Sequence, residues 1–155
     1  MSKRNQYTVI GKDTHRKDGV AKVTGAEKFA SDLNVPGMLY IRVLKSSLPH
    51  AKVLKIHTEE AEKLGAYTLT PEEVPDLKFC PRLVSTPEAT YKDWRILAKK
   101  PLFVGEPIGA VAAETEEEAQ VALEALKVDY EPLPAYFDAE EAKKPGAAQL
   151  HDAIE

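Results

Sequence analysis

VGEPIGAVAAETEEEAQVALEALKVDYEPLPAY, Val104 to Tyr136, encodes a strand, a capped helix and a returning strand in one unbroken run. Ile108 to Ala113 is a short tract of small and branched apolar residues, the composition of a strand buried on both faces. Thr115 followed by Glu118 makes a capping box, in which the Thr hydroxyl takes one free amide of the first turn and the Glu carboxylate reaches back to another. Glu116, Glu117 and Glu118 sit where the helix dipole favours negative charge. Ala119, Ala122, Leu123 and Leu126 fall at i, i+3, i+4 and i+7, so one face of the helix is apolar and belongs on the sheet. Val128 and Tyr130 then alternate with Lys127, Asp129 and Glu131 as a half-exposed strand, which Pro132 and Pro134 stop.

Working outward, the rest of the chain predicts more short elements. Residues 1–24 read as irregular. Pro36-Gly37 marks a turn, after which Met38 to Lys45 alternates as a strand with Leu39, Ile41 and Val43 on one face. Beyond Pro49, Val53, Leu54 and Ile56 belong to a second strand. Thr58 caps a short helix that runs through Leu64 and stops at a left-handed Gly65. Tyr67 and Leu69 lie in a third strand, and Thr70, Pro71 and Glu73 supply a cap, a first-turn proline and a capping-box glutamate for a single turn. From Pro75 to Lys100 the pattern is lost in a long connection containing Pro81, Pro87, Tyr91 and Trp94, and connections of that length are usually functional or ordered from outside the domain. Asp138 with Glu141 opens a last short helix ended by Pro145-Gly146, and residues 147–155 have no closing element. The fold class is α+β: mixed, mostly antiparallel short strands with two or three short helices packed on the sheet.

With 155 residues, 43% hydrophobic and 30% charged, the chain suits one ordinary core. No apolar run approaches the ~20 residues that span a bilayer, and the N-terminus lacks the apolar stretch of an export signal. The expectation is a protein with no membrane association. A single cysteine, Cys80, excludes an internal disulfide and any thiolate-rich site within the chain, which fits a reducing, cytoplasmic setting. The net charge of −4 hides an asymmetry. Residues 1–30 carry Lys3, Arg4, Lys12, Arg16, Lys17, Lys22 and Lys28 against Asp13, Asp18 and Glu27, while the remainder is strongly acidic. The bases are dispersed and the body would repel phosphate, so no nucleic acid partner is expected.

Candidate chemistry is sparse. His15, His50, His57 and His151 match none of the usual ligand spacings and read as surface or structural residues. Cys80 with His50 or His57 would lack a third orienting group and an oxyanion loop, so an inert thiol is the stronger reading. Gly105-Glu106-Pro107-Ile108-Gly109 leads into a strand rather than a helix, which makes it a hairpin corner and not a phosphate loop. Thr24-Gly25 reads as a turn, and Glu116 to Glu118 as a first-turn cap. Tyr91 and Trp94 are the aromatics that could line a ligand channel, although packing against a neighbouring domain is the stronger reading. Catalytic, cofactor-binding and metal-binding residues: none are assigned within this chain.

Ordered blocks of residues carry a resemblance. Arg16, Asp18, Lys22-Val23-Thr24-Gly25, Phe29, Asp32, Pro36-Gly37-Met38-Leu39-Tyr40 and His50-Ala51-Lys52 are followed by Val104-Gly105-Glu106-Pro107, Ala110 to Thr115 and Tyr130-Glu131-Pro132-Leu133-Pro134. In this order they resemble the xanthine dehydrogenase and aldehyde oxidase family, and within it the α/β-hammerhead domain that begins the large, molybdopterin-binding subunit. Glu27, Lys45 and His57 depart from the small, arginine and acidic residues usual there. The resemblance implies an irregular basic arm over 1–15, the hammerhead over 16–146 and a tail over 147–155 leading to molybdopterin-binding domains that this chain does not reach. It implies a part of an oxidoreductase that hydroxylates a heterocycle or aldehyde carbon with water-derived oxygen. The cofactors of that enzyme would be molybdenum with molybdopterin or molybdopterin cytosine dinucleotide, [2Fe–2S] clusters and FAD, none bound by this chain. The partners implied are the remaining molybdopterin-binding domains and the iron–sulfur and FAD subunits or domains, with a homo-oligomer possible for the isolated chain. By the same analogy, Asp76 to Trp94 faces the substrate channel and orders only against its docking partner. The competing reading is a stand-alone binding or adaptor module of barrel-sandwich type, which would need a lysine displayed at a tight hairpin; Lys99-Lys100 before Pro101 is a poor version of one.

Overall fold

The computed structural model describes residues 8–81 and 92–151, and the chain divides into two compact units, Met1–Pro36 and Gly37–Glu155. The first unit is not wholly irregular: a six-residue helix, α1 (Gly19–Thr24), interrupts it. Asp18 precedes this helix and pairs with Lys22 at 2.5 Å and Arg16 at 2.6 Å. These two cations hold the Asp18 carboxyl below its ordinary range, Lys22 contributing most. Gly25 ends the helix at φ 73°, a left-handed conformation that glycine adopts without penalty. Ala30–Asp32 adds one 3-10 turn, whose Asp32 carboxylate accepts the Phe29 amide at 2.9 Å.

In the second unit, β1 (Tyr40–Lys45), β2 (Ala51–His57), α2 (Glu59–Lys63) and β3 (Tyr67–Leu69) precede the long connection. After it come β4 (Pro107–Ala113), α3 (Glu116–Ala125), β5 (Lys127–Pro132) and α4 (Ala139–Ala142). β4 is the middle strand of a three-stranded sheet ordered β1-β4-β3, and β2 pairs with β5 in a second sheet; every pairing among the described residues is antiparallel. The apolar tract read as a doubly buried strand therefore occupies the central position, with Ile108 and Val111 essentially inaccessible. Gly109 is packed on its Cα side: a side chain there would meet Leu44 of β1, the Leu69 carbonyl of β3 and Ile56 of β2. At 3.4–3.5 Å these would be ordinary van der Waals contacts, so Ile56 of β2 packs directly over Gly109.

The core lies under α3. Ala119 and Ala122 of α3 meet Val111 and Ala113 of β4 and Ala61 of α2, with Tyr40, Leu123 and Leu126 packed around them. Alanines on both sides allow close approach of helix and sheet. The Thr115 box forms as read: Thr115 Oγ1 accepts the Glu118 amide and Glu118 accepts the Thr115 amide, both at 3.1 Å. One other cap differs. Thr58 makes no side-chain bond to α2, although Gly65 does take the left-handed conformation at φ 84°. At Thr70 the single turn forms; Glu73 accepts both the Thr70 amide (2.7 Å) and its hydroxyl (2.8 Å), which fixes it. Asp138 caps α4 by accepting the amides of Glu140 and Glu141.

β1 alternates, but its inward face is not the more apolar one. Tyr40, Arg42 and Leu44 turn inward, and Arg42 reaches Glu116 at the start of α3 at 3.1 Å. Leu39, Ile41 and Val43 are exposed, Ile41 by 65%. The register places Ile41 beside Ala112 and Tyr67, and Val43 beside Ala110 and Leu69. With Tyr67 at 68% and Leu69 also exposed, these rows form an uncovered apolar face opposite the helices.

Candidate functional site beside Trp94

Residues 82–91, including Pro87 and Tyr91, lie outside the described residues, so the reading of the inner part of the channel-facing segment finds no description there. The two ends of the connection are held together. Phe79 and Trp94 exchange backbone hydrogen bonds at 2.9 and 3.2 Å as an isolated antiparallel bridge. Arg95 Nε meets Asp76 Oδ1 at 2.6 Å. The Trp94 and Phe103 rings lie 6.2 Å apart, tilted by 55°, a favourable aromatic arrangement.

Behind these rings is a cavity of about 300 Å³, walled by Trp94, Phe103, Leu102 and Leu150 and bearing Asp93, Glu106 and His151. Glu106 is its most perturbed group. Burial pushes the carboxyl above its ordinary value, outweighing the Leu102 amide, which donates to Oε2 at 2.6 Å, and the charges of Arg95 and His151. The loop that positions Glu106 is anchored to the end of β1: the Gly105 amide donates to the Ser46 carbonyl at 2.8 Å, and the Ser46 amide donates to the Glu106 carbonyl at 2.9 Å. Gly105 itself takes φ 96°, so the corner requires glycine. Sequence reading recognised this corner as a turn but gave Glu106 and Phe103 no role. The signal was a lone carboxylate between Gly105 and Pro107 inside an apolar run.

The remaining sequence candidates resolve into structural roles. His50 is buried, and its Nδ1 lies 2.6 Å from the Pro134 carbonyl, so Nδ1–H donates and ties β2 to the chain leaving β5. His57 Nε2 meets Asp129 at 2.8 Å across the same pair of strands. His15 is exposed and Cys80 half-buried. A larger cleft, about 470 Å³, runs between β2 and the Thr70 turn. Three of its four carboxylates are engaged: Glu59 with Lys55, Glu62 with Thr68 and Glu73 with Thr70. Among the described residues no three His, Cys, Asp or Glu side chains converge on a metal-sized site. The donor set among the described residues does not fit a molybdenum or iron–sulfur centre. The backbone carbonyl of Lys99 accepts from Val53 alongside β2, and Lys100 leads into the fully buried Pro101. Neither lysine occupies the hairpin tip that a carrier module needs.

Comparison with known proteins defines what this arrangement is. The family described as aldehyde oxidase and xanthine dehydrogenase, a/b hammerhead domain, matches residues 24–134. A probable xanthine dehydrogenase subunit of Bacillus subtilis (strain 168) is 39% identical over 139 residues, covering 88% of this chain and 18% of that protein. The nicotinate dehydrogenase large molybdopterin subunit of Eubacterium barkeri is 30% identical, over 94% of this chain and 33% of its own length. The crystal structure of the aldehyde oxidoreductase from Desulfovibrio desulfuricans ATCC 27774 superposes with a TM-score of 0.76 at 31% identity, over 88% of this chain and 16% of that one. The chain therefore spans only a minor part of the length of these relatives. Fold, residue order and coverage agree, and the chain belongs to the aldehyde oxidase and xanthine dehydrogenase family, as its a/b hammerhead domain.

Proposed function

We propose that this chain serves as the N-terminal scaffold and interface domain of the large, molybdopterin-binding subunit of a cytoplasmic molybdenum hydroxylase. It contributes no catalytic residue of its own. The reaction of the whole enzyme would be oxidative hydroxylation of a heterocyclic or aldehyde carbon with oxygen from water, the chemistry belonging to molybdenum with molybdopterin or its cytosine dinucleotide. Electrons would leave through [2Fe–2S] clusters and FAD on partner subunits or domains. Within this reading residues 1–15 are a basic arm, 16–146 the hammerhead and 147–155 the connection to the molybdopterin-binding domains, with Asp76 to Trp94 turned toward the substrate entrance.

The observation that carries the proposal is the uncovered sheet face. Ile41, Val43, Tyr67 and Leu69 stand in register on a strand layer whose other side is already closed by α2 and α3. Contiguous apolar surface of this kind marks a place where further polypeptide packs. The test is purification of the tagged chain from its own cells, followed by metal analysis of the eluate. Co-elution of larger polypeptides with molybdenum is the expected result. A bare, metal-free chain recovered from cells with active molybdenum hydroxylase would overturn the reading.

A further inference from the structure

The cavity beside Trp94 combines features that the scaffold role does not require. Trp94 and Phe103 present two tilted rings, Leu102 and Leu150 complete an apolar wall, and Glu106 lines the same space. Among the described residues no ion pair to Glu106 forms: Arg95 is bound to Asp76, and the Glu106 carboxylate is met by the backbone amides of Leu102, at 2.6 Å, and Phe103, with the charges of Arg95 and His151 acting on it without direct contact. A half-buried carboxylate with no cation in direct contact is electrostatically costly, and aromatic faces beside it attract positive charge through their quadrupoles. We propose that this cavity is a binding site for a small organic cation with an apolar body, of the substituted ammonium class, its charge held between Glu106 and the aromatic rings.

The volume of about 300 Å³ accommodates a molecule of the size of choline. Burial that raises the Glu106 carboxyl above its ordinary range adds a second signature. A bound cation favours the ionised form, so binding releases a proton and tightens as the pH rises through the Glu106 titration. The other charged groups facing the site are Asp93, Arg95 and His151. Arg95 is paired with Asp76, and the charges of Arg95 and His151 both act on the Glu106 carboxylate.

Trp94 is the only tryptophan in the chain, so its emission and its indole proton resonance report on the site directly. The experiment titrates the full chain with choline and, at matched ionic strength, with its neutral isostere in which a quaternary carbon replaces the nitrogen. The expected result is a saturable shift with choline, binding of the neutral isostere weaker by about tenfold, and choline affinity that increases with pH. Glu106→Gln keeps an oxygen to accept the Leu102 amide and so preserves the corner; it should bring choline down to the level of the isostere and abolish the pH dependence. Phe103→Leu should weaken choline more than the isostere. Absence of saturable binding, equal affinity for the two probes, or unchanged choline affinity in a folded Glu106→Gln variant would each overturn the proposal.

Discussion

Glu106 and Glu73 are carboxylates of one chain whose surroundings drive them in opposite directions. Burial raises the Glu106 carboxyl, so the native state holds its proton more tightly than the unfolded chain. Near pH 4.5 and below the residue costs little; as pH rises from there through the raised native value, stability is lost progressively. Glu106→Gln should therefore gain stability relative to the parent across that window, with a constant difference above it, as read by urea denaturation at a series of pH values. Glu73, bound by the Thr70 amide and then its hydroxyl, is lowered, so its contribution is complete above pH 4.5 and is lost as pH falls through the native value. Thr115→Ala should cost about 1 kcal/mol, the usual loss of a capping oxygen, measurable by the same method. The Thr115 and Glu118 pair was legible because capping depends on neighbours three residues apart. Glu106 was not, since its character comes from Leu102, Phe103 and the distant Leu150, which only the folded chain brings around it.

Among the elements, α3 was the most legible and α1 the least. The capping box, acidic first turn and apolar spacing of α3 all encode the same helix, and Ala119 and Ala122 are completely buried as that spacing requires. Ala122→Leu should overpack the helix against Val111 and Ala113 and destabilise the domain by about 1–3 kcal/mol, seen as a lower urea midpoint with unchanged slope. β1 carried a true alternation, yet the pattern alone could not say which face the helices cover. Arg42 decides it: its guanidinium finds Glu116 on the helix side, so Ile41 and Val43 are turned the other way. α1 was missed for a related reason. Its helical signals, Asp18 with Lys22 and Gly25 as a stop, bracket a helix of only six residues that buries no side chain, so no apolar period announces it.

For the whole molecule, the exposed rows of Ile41, Val43, Tyr67 and Leu69 predict behaviour that no single element shows. The isolated chain should self-associate at high concentration, and the double variant Ile41→Lys with Tyr67→Lys should shift it toward monomer in light scattering without altering the circular dichroism spectrum. Equal scattering from parent and variant would sever this face from association. The α+β class was legible because strand and helix periods are local; the strand order β1-β4-β3 was not, because it depends on encounters across the long connection. That order also governs how the chain comes to fold. Among the described residues no two paired strands are joined by a tight turn: β3 and β4 are consecutive, yet their partners Leu69 and Ala110 are separated by the whole connection. β1, β2 and β3 must therefore remain unpaired on the ribosome until β4 and then β5 have emerged. Such topologies pay loop-closure entropy before any pairing rewards it. Nascent chains ending before β4 would accordingly need chaperone shielding, whereas those extended past β5 could close both sheets in a single late event.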